Sequence, residues 1–258
     1  MRKVASSLGE IGDIARQKHA AAVARRRPDV SADRPADVAG KCLAVVAANL
    51  GPEGYASRAR GRRLVKRDGD FTYEIFFQLD RHNYAGGRVA VWTHASIGSL
   101  ELRRWRTLNR MPWGGLPSSH FAGGQIGNLR LPRAWMTWDF ADPTAREATI
   151  HDLIGAIRQI VLPFFAMFED RDAVMRVFER AELLGATDAI EYAQAHFGRE
   201  GANRILRSFL AKEPGEIEPF LSAVDLYRRE GLPLGHNGET ASALAAMAVF
   251  LALDPFGS

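Results

Sequence analysis

One cysteine, five lysines and no apolar run of membrane-spanning length mark what this 258-residue chain lacks. The lone Cys42 excludes an intramolecular disulfide and any multi-cysteine metal knot, which suits a reducing, cytoplasmic setting. It lies in "AGKCLAVVAANL", an apolar helical run, and reads as a small buried side chain rather than a nucleophile. The most apolar stretch, "SALAAMAVFLAL", is shorter than the ~20 residues a membrane helix needs, so no transmembrane segment is expected. No apolar h-region follows the basic N-terminus, so no secretory signal is read there.

Several chemistries are missing as motifs. "GPEGYASRARGRR" lacks the Gly-Lys-Ser/Thr ending of a phosphate loop, and neither "AGGQIGNL" nor "AGGRVAVW" forms a strand–GxGxxG–helix unit. There is no G-x-S-x-G elbow and no HExxH helix. Seven histidines are present, none paired at ligand spacing, so no metal or cofactor is expected. An enzyme would have to assemble its site in three dimensions, and His94, His120 and Asp139 are the candidates for that.

What is present is unevenly charged. Residues 1–67 hold 15 Lys/Arg against 6 Asp/Glu, and residues 68–258 hold 19 against 24. Such a split suits a basic arm meeting an anionic partner. The arginine excess, with abundant alanine and glycine, is also what GC-rich codons supply.

Residues 1–35 read as a basic helical extension and a Pro-containing linker. Residues 36–168 read as an α+β domain. It has a helix at about 36–49 closed by a left-handed Gly51, a basic strand and an aromatic strand at 71–80. Further strands are expected at 88–99, around "LELRRWR" and at 134–141, with a long Gly/Pro-rich loop at 109–130 between the last two. A helix from Asp142 should end or kink near Pro163. Residues 169–258 read as an all-helical part, with joints at Gly185, Gly198, "EPG" and "GLPLGHNG". The fold class is therefore α+β: a small, mostly antiparallel sheet packed by helices, followed by helices alone.

The basic hairpin "SRARGRRLVKRDGDFTYEIFFQLD" has a register set by its loop. A two-residue Asp68-Gly69 loop would drive Arg58, Arg62 and Lys66 onto the apolar face. A three-residue Asp68-Gly69-Asp70 loop pairs Val65 with Tyr73, puts Arg58 opposite Asp80, and leaves Arg58, Arg60, Arg62 and Lys66 on the polar face. The second costs less, because unpaired buried charges are expensive.

From "LAVVAANLGPEGYASRARGRRLVKRDGDFTYEIFFQLDRHNYAGGRVAVWTHAS" to "IRQIVLPFFAMF", residues 41 to about 168, the chain resembles the bacterial domain-of-unknown-function 4304 family. The shared elements are a helix ending at a glycine, a basic strand, an aromatic strand with Gln78, a nearby Asn83 and a helix carrying "LPFF". The resemblance implies an α+β domain and supplies no catalytic residues. The basic N-terminal arm and the Gly/Pro insert depart from the pattern.

These readings favour a non-enzymatic binding protein holding a protein partner, with an immunity or regulatory role in bacterial conflict as one form by analogy. Trp113 and Phe121 would be anchors, and Arg103, Arg104 and Arg106 rim charges. The alternative is a nucleic-acid binder using Arg58, Arg60, Arg62, Lys66 and the N-terminal arm.

Overall fold

A computed structural model describes residues 33–110, 117–180, 185–233 and 240–256. The N-terminal arm and "MPWGG" with Trp113 lie outside the described residues. Helix α1, Pro35–Leu50, starts with proline at its first turn, where the missing N–H costs nothing. Val38, Ala39, Cys42, Leu43, Val46 and Leu50 form its buried stripe. Gly51 stays helical, and the left-handed reversal falls instead at Gly54 (φ 89°), after a short 3₁₀ turn.

The sheet is antiparallel in the order β1 (Ala56–Arg58), β2 (Arg63–Asp68), β3 (Phe71–Leu79), β4 (Ala90–Ser99), β5 (His120–Gln125). The short β6, Trp138–Asp139, also pairs with β4, at Ala90 and Val91. Neither hairpin register expected from the sequence occurs. Asp68 pairs with Phe71, Lys66 with Tyr73 and Arg63 with Phe76, so the turn is Gly69-Asp70. The basic segment is also not one strand: Arg58 turns back on Arg63 through residues 59–62. Ala59, Arg60 and Gly61 take positive φ there (50°, 56° and 84°).

Two further elements differ from expectation for local reasons. "LELRRWR" is helix α2, Leu100–Leu108, because the Ser99 hydroxyl accepts from Leu102 N–H at 3.0 Å and caps it. Strand β5 was hidden in the glycine-rich loop. Its Gly123 has φ 143° and so close an approach to β4 that a Cβ would meet Ala95 O at 2.2 Å. Only two residues of the expected 134–141 strand pair.

Helix α3, Arg146–Ala166, passes through Pro163 without stopping, by way of a wider π turn at Ile157–Val161. By length and composition α3 is apolar enough to cross a membrane. In the fold its Leu153, Ile157, Val161, Phe164 and Phe165 are buried. Then come α4 (Arg171–Arg180), α5 (Ala186–Lys212, kinked at Gly198), α6 (Ile217–Glu230) and α7 (Thr240–Phe250).

One face of the sheet carries Leu64, Phe71, Tyr73, Ile75, Phe77, Val91, Ala95 and Ile97, all buried. The buried apolar residues form a continuous cluster from α1 to Leu253. Phe121 is part of it: expected as an exposed anchor, it sits on the packed face of β5, 4.8 Å from Tyr192 and 5.9 Å from Phe178 between ring centroids. The α+β sheet and the helical C-terminal part are thus packed together through aromatic rings.

Arg106 fastens the same junction. Its guanidinium reaches Glu191 and Asp188 on α5 and donates to the carbonyls of Ser118 (3.0 Å) and His120 (2.8 Å). Its side chain is 12% exposed, so Arg106 is not the rim charge that the sequence suggested. Burial pushes the Glu191 carboxyl up, against the pull of Arg106. Replacing Arg106 by alanine leaves Glu191 buried without its cation, which costs about 3–5 kcal/mol. Thermal melts should show a midpoint lowered by roughly 6–20 °C, while exposed Arg103→Ala stays near wild type.

Candidate functional site

Register decides what the second sheet face presents, because alternate residues on a strand point to opposite sides. Following the pairs across the sheet gives one straight row: Arg58, Arg63, Phe76, His94, Gln125. Beside it on the same face lie Arg67, opposite Thr72, and Trp92, opposite Gln78. The β1–β3 end of this row is open: Arg58, Arg63, Phe76 (36% exposed) and the neighbouring Gln78 are exposed, His94 is half-buried and Gln125 is buried.

The aromatic groups touch one another. Phe76 is 6.2 Å from His94, and Trp135 stands edge-on to both His94 (6.3 Å) and Trp92 (5.4 Å). Trp135, 56% exposed, arrives from the loop after β5. Gln125 holds that loop: its amide donates to Met136 O at 2.6 Å and its carbonyl accepts from Gly127 N–H at 2.8 Å. Gly127 is needed because a Cβ there would meet Ala134 O at 1.7 Å. Burial lowers the His94 pKa, and its Nε2 is buried with no hydrogen-bond partner among the described residues.

Charge lies on one side of the rings. Arg63 Nε bonds Glu74 Oε1 at 3.0 Å and its guanidinium lies 6.0 Å from the Phe76 centroid. Arg58 and Arg67 form no ion pair among the described residues. Together with Val65, Thr72 and Glu74 these arginines line a groove of about 500 Å³. Arg60 and Arg62, in the positive-φ turn, are exposed at its end.

Lys66 does not belong to this surface. It faces the other way, opposite Tyr73, into a cavity of about 440 Å³ shared with Glu53, Tyr55, Asp68 and Glu169. Arg103 and Arg104 are exposed on α2, with Arg104 3.5 Å from Glu101. Alternation along β3 already puts Phe76 on the polar side, a face open to cover by another protein; reasoning from sequence missed Trp92 and Trp135 as surface groups.

The enzyme candidates do not converge. Asp139 pairs with Ala90 and His120 with Gly98, each four residues along β4 from His94, or about 13 Å of strand in opposite directions. Asp139 is occupied as a backbone staple, accepting from Val89 N–H (2.9 Å) and Ala141 N–H (3.0 Å). A different Ser–His–Asp grouping does exist: Ser99 Oγ is 2.6 Å from Asp70 Oδ2 and 2.9 Å from His196 Nε2. It lacks the relay order of a hydrolytic triad, in which the base sits between nucleophile and acid. The Ser99 proton goes to Asp70, so His196 Nε2–H donates to Ser99, and Nδ1 is left buried without a partner. Ser99 and the His196 side chain are wholly buried. This is a structural junction.

No family model, curated protein or solved structure matches the chain.

Two outcomes follow from this geometry. Burial holds the His196 pKa below its ordinary 6.5, with Arg171 in the same direction and Asp70 and Glu101 opposing. As pH falls through about 6.5 the unfolded chain takes up a proton that the folded one refuses, so stability falls on the acid side. Denaturation across pH should show that loss, and His196→Asn should flatten part of it, with His94 supplying the rest. Gly127→Ala should displace the loop and shift tryptophan emission toward that of a solvent-exposed indole.

Proposed function

We propose that this protein is a non-enzymatic binding protein whose partner seats on the second face of its sheet. The observation that carries this reading is the row Arg58–Arg63–Phe76–His94, flanked by Trp92 and Trp135, on a surface open at its β1–β3 end. The packed face already supplies the core, so these rings are not needed to complete it. Aromatic groups left at water forgo the burial that would stabilise them, and contiguous ones mark interaction sites. Tryptophan and arginine side by side are also the residue types that dominate binding energy at interfaces.

Relative to the sequence-level expectation, the anchors change. Phe121 is replaced by Phe76 and Trp135, and the rim charges move from α2 to β1 and β2. A catalytic reading has less support, because the titratable groups near the face are spread along β4 and the Ser99 junction is closed to solvent.

A photo-reactive residue placed at exposed Gln78 should give a defined adduct in the native host, and one at Leu221 on α6 should not. Adding Trp135→Ser should abolish the Gln78 adduct while leaving the melting midpoint within a few degrees. Equal labelling from both positions, or none from Gln78, would sink the proposal.

A further inference from the structure

We infer that the occupant of this face is a single-stranded nucleic acid, with bases stacked on Phe76 and Trp135 and phosphates on Arg58, Arg63 and Arg67; this rests on the reading of the face as a docking surface. The complementarity has two parts. The first is charge: Arg58 and Arg67 have no carboxylate among the described residues, and Glu74 meets Arg63 alone. Arg63 still keeps 48% of its side chain exposed. The turn at 59–62 adds Arg60 and Arg62 at the end of the same edge, and positive φ at Ala59, Arg60 and Gly61 gives that turn its left-handed course. A line of cations along β1 and β2 tracks a chain of phosphates.

The second part is shape. The centre of the face is built from flat rings rather than branched aliphatic groups, with Val65 the only larger aliphatic side chain on the β1–β3 part. Every base has a π face, so rings standing on an antiparallel sheet accept successive bases whatever their sequence. A duplex keeps its bases inside the stack and offers these rings nothing, whereas an unpaired strand can splay two or three bases across a sheet. Arg63 over Phe76, at 6.0 Å, sets a cation at the margin of the stacking surface, where a phosphate linking two stacked bases would fall.

The test is fluorescence anisotropy with the full chain and a random-sequence labelled oligonucleotide of about 12 nucleotides, as RNA and as DNA. The same sequence as a duplex and a polyglutamate chain of similar charge serve as controls. Single strands should bind at least tenfold more tightly than either control, by order of magnitude. The slope of log affinity against log salt should lie between about −2 and −3.5, for three to five phosphates. Phe76→Ala and Trp135→Ala should each weaken binding by about tenfold. Arg67→Ala should make the salt slope shallower by about 0.7. Both rings are exposed, so unchanged melting midpoints will verify that these variants fold.

Equal affinity for duplex or polyglutamate, or aromatic variants that bind like wild type, overturns the inference. If no oligonucleotide binds but the Gln78 photo-probe captures a protein, the nucleic-acid inference falls and the docking face stands. If neither binding nor an adduct is seen, both fall.

Discussion

Asp70 pins the register on which the rest of the molecule depends. Its Oδ1 accepts from Glu101 N–H at 2.8 Å, its Oδ2 from Ser99 Oγ at 2.6 Å, and its carbonyl from Leu100 N–H at 3.0 Å. A carboxylate at the first turn of α2 meets unsatisfied N–H groups and the positive end of the helix dipole. So held, Asp70 becomes the second residue of a two-residue turn, and Asp68 must pair with Phe71. Slipping that pairing by one residue would exchange every side chain of β2 between the two faces. Arg63 and Arg67 would then turn from the groove toward the apolar core, and Leu64 would turn out of it.

The same junction links the two parts of the chain. Ser99 caps α2, binds Asp70 and receives the His196 ring from α5, while Arg106, further along α2, binds α5 through Glu191. Phe121 adds the apolar side of the contact. With one face so occupied by helices and rings, the other is left to carry Phe76, Trp92 and Trp135. The division of labour between the faces is thus a consequence of where α2 and α5 are anchored.

Much of the architecture was legible in local pattern. Alternation in Phe71–Leu79 announced β3, the stripe in α1 announced its buried side, and Gly198 announced the bend in α5. The failures have physical causes. β5 was masked by Gly123 and Gly124, the first of which is required because its backbone approaches Ala95 of β4 too closely for a Cβ. "LELRRWR" looked like a strand until Ser99 supplied its cap. The basic run looked like one strand because an Ala-Arg-Gly segment at positive φ carries no strong turn signal apart from its glycine.

By itself the sequence determined the α+β class, the most regular helices and the aromatic strand, because periodicity of two or 3.6 residues is a local property. Tertiary structure alone decided which arginines share a face with which rings. That choice turns on a one-residue register, and the register is set by the bonds of Asp70 to residues about thirty positions away.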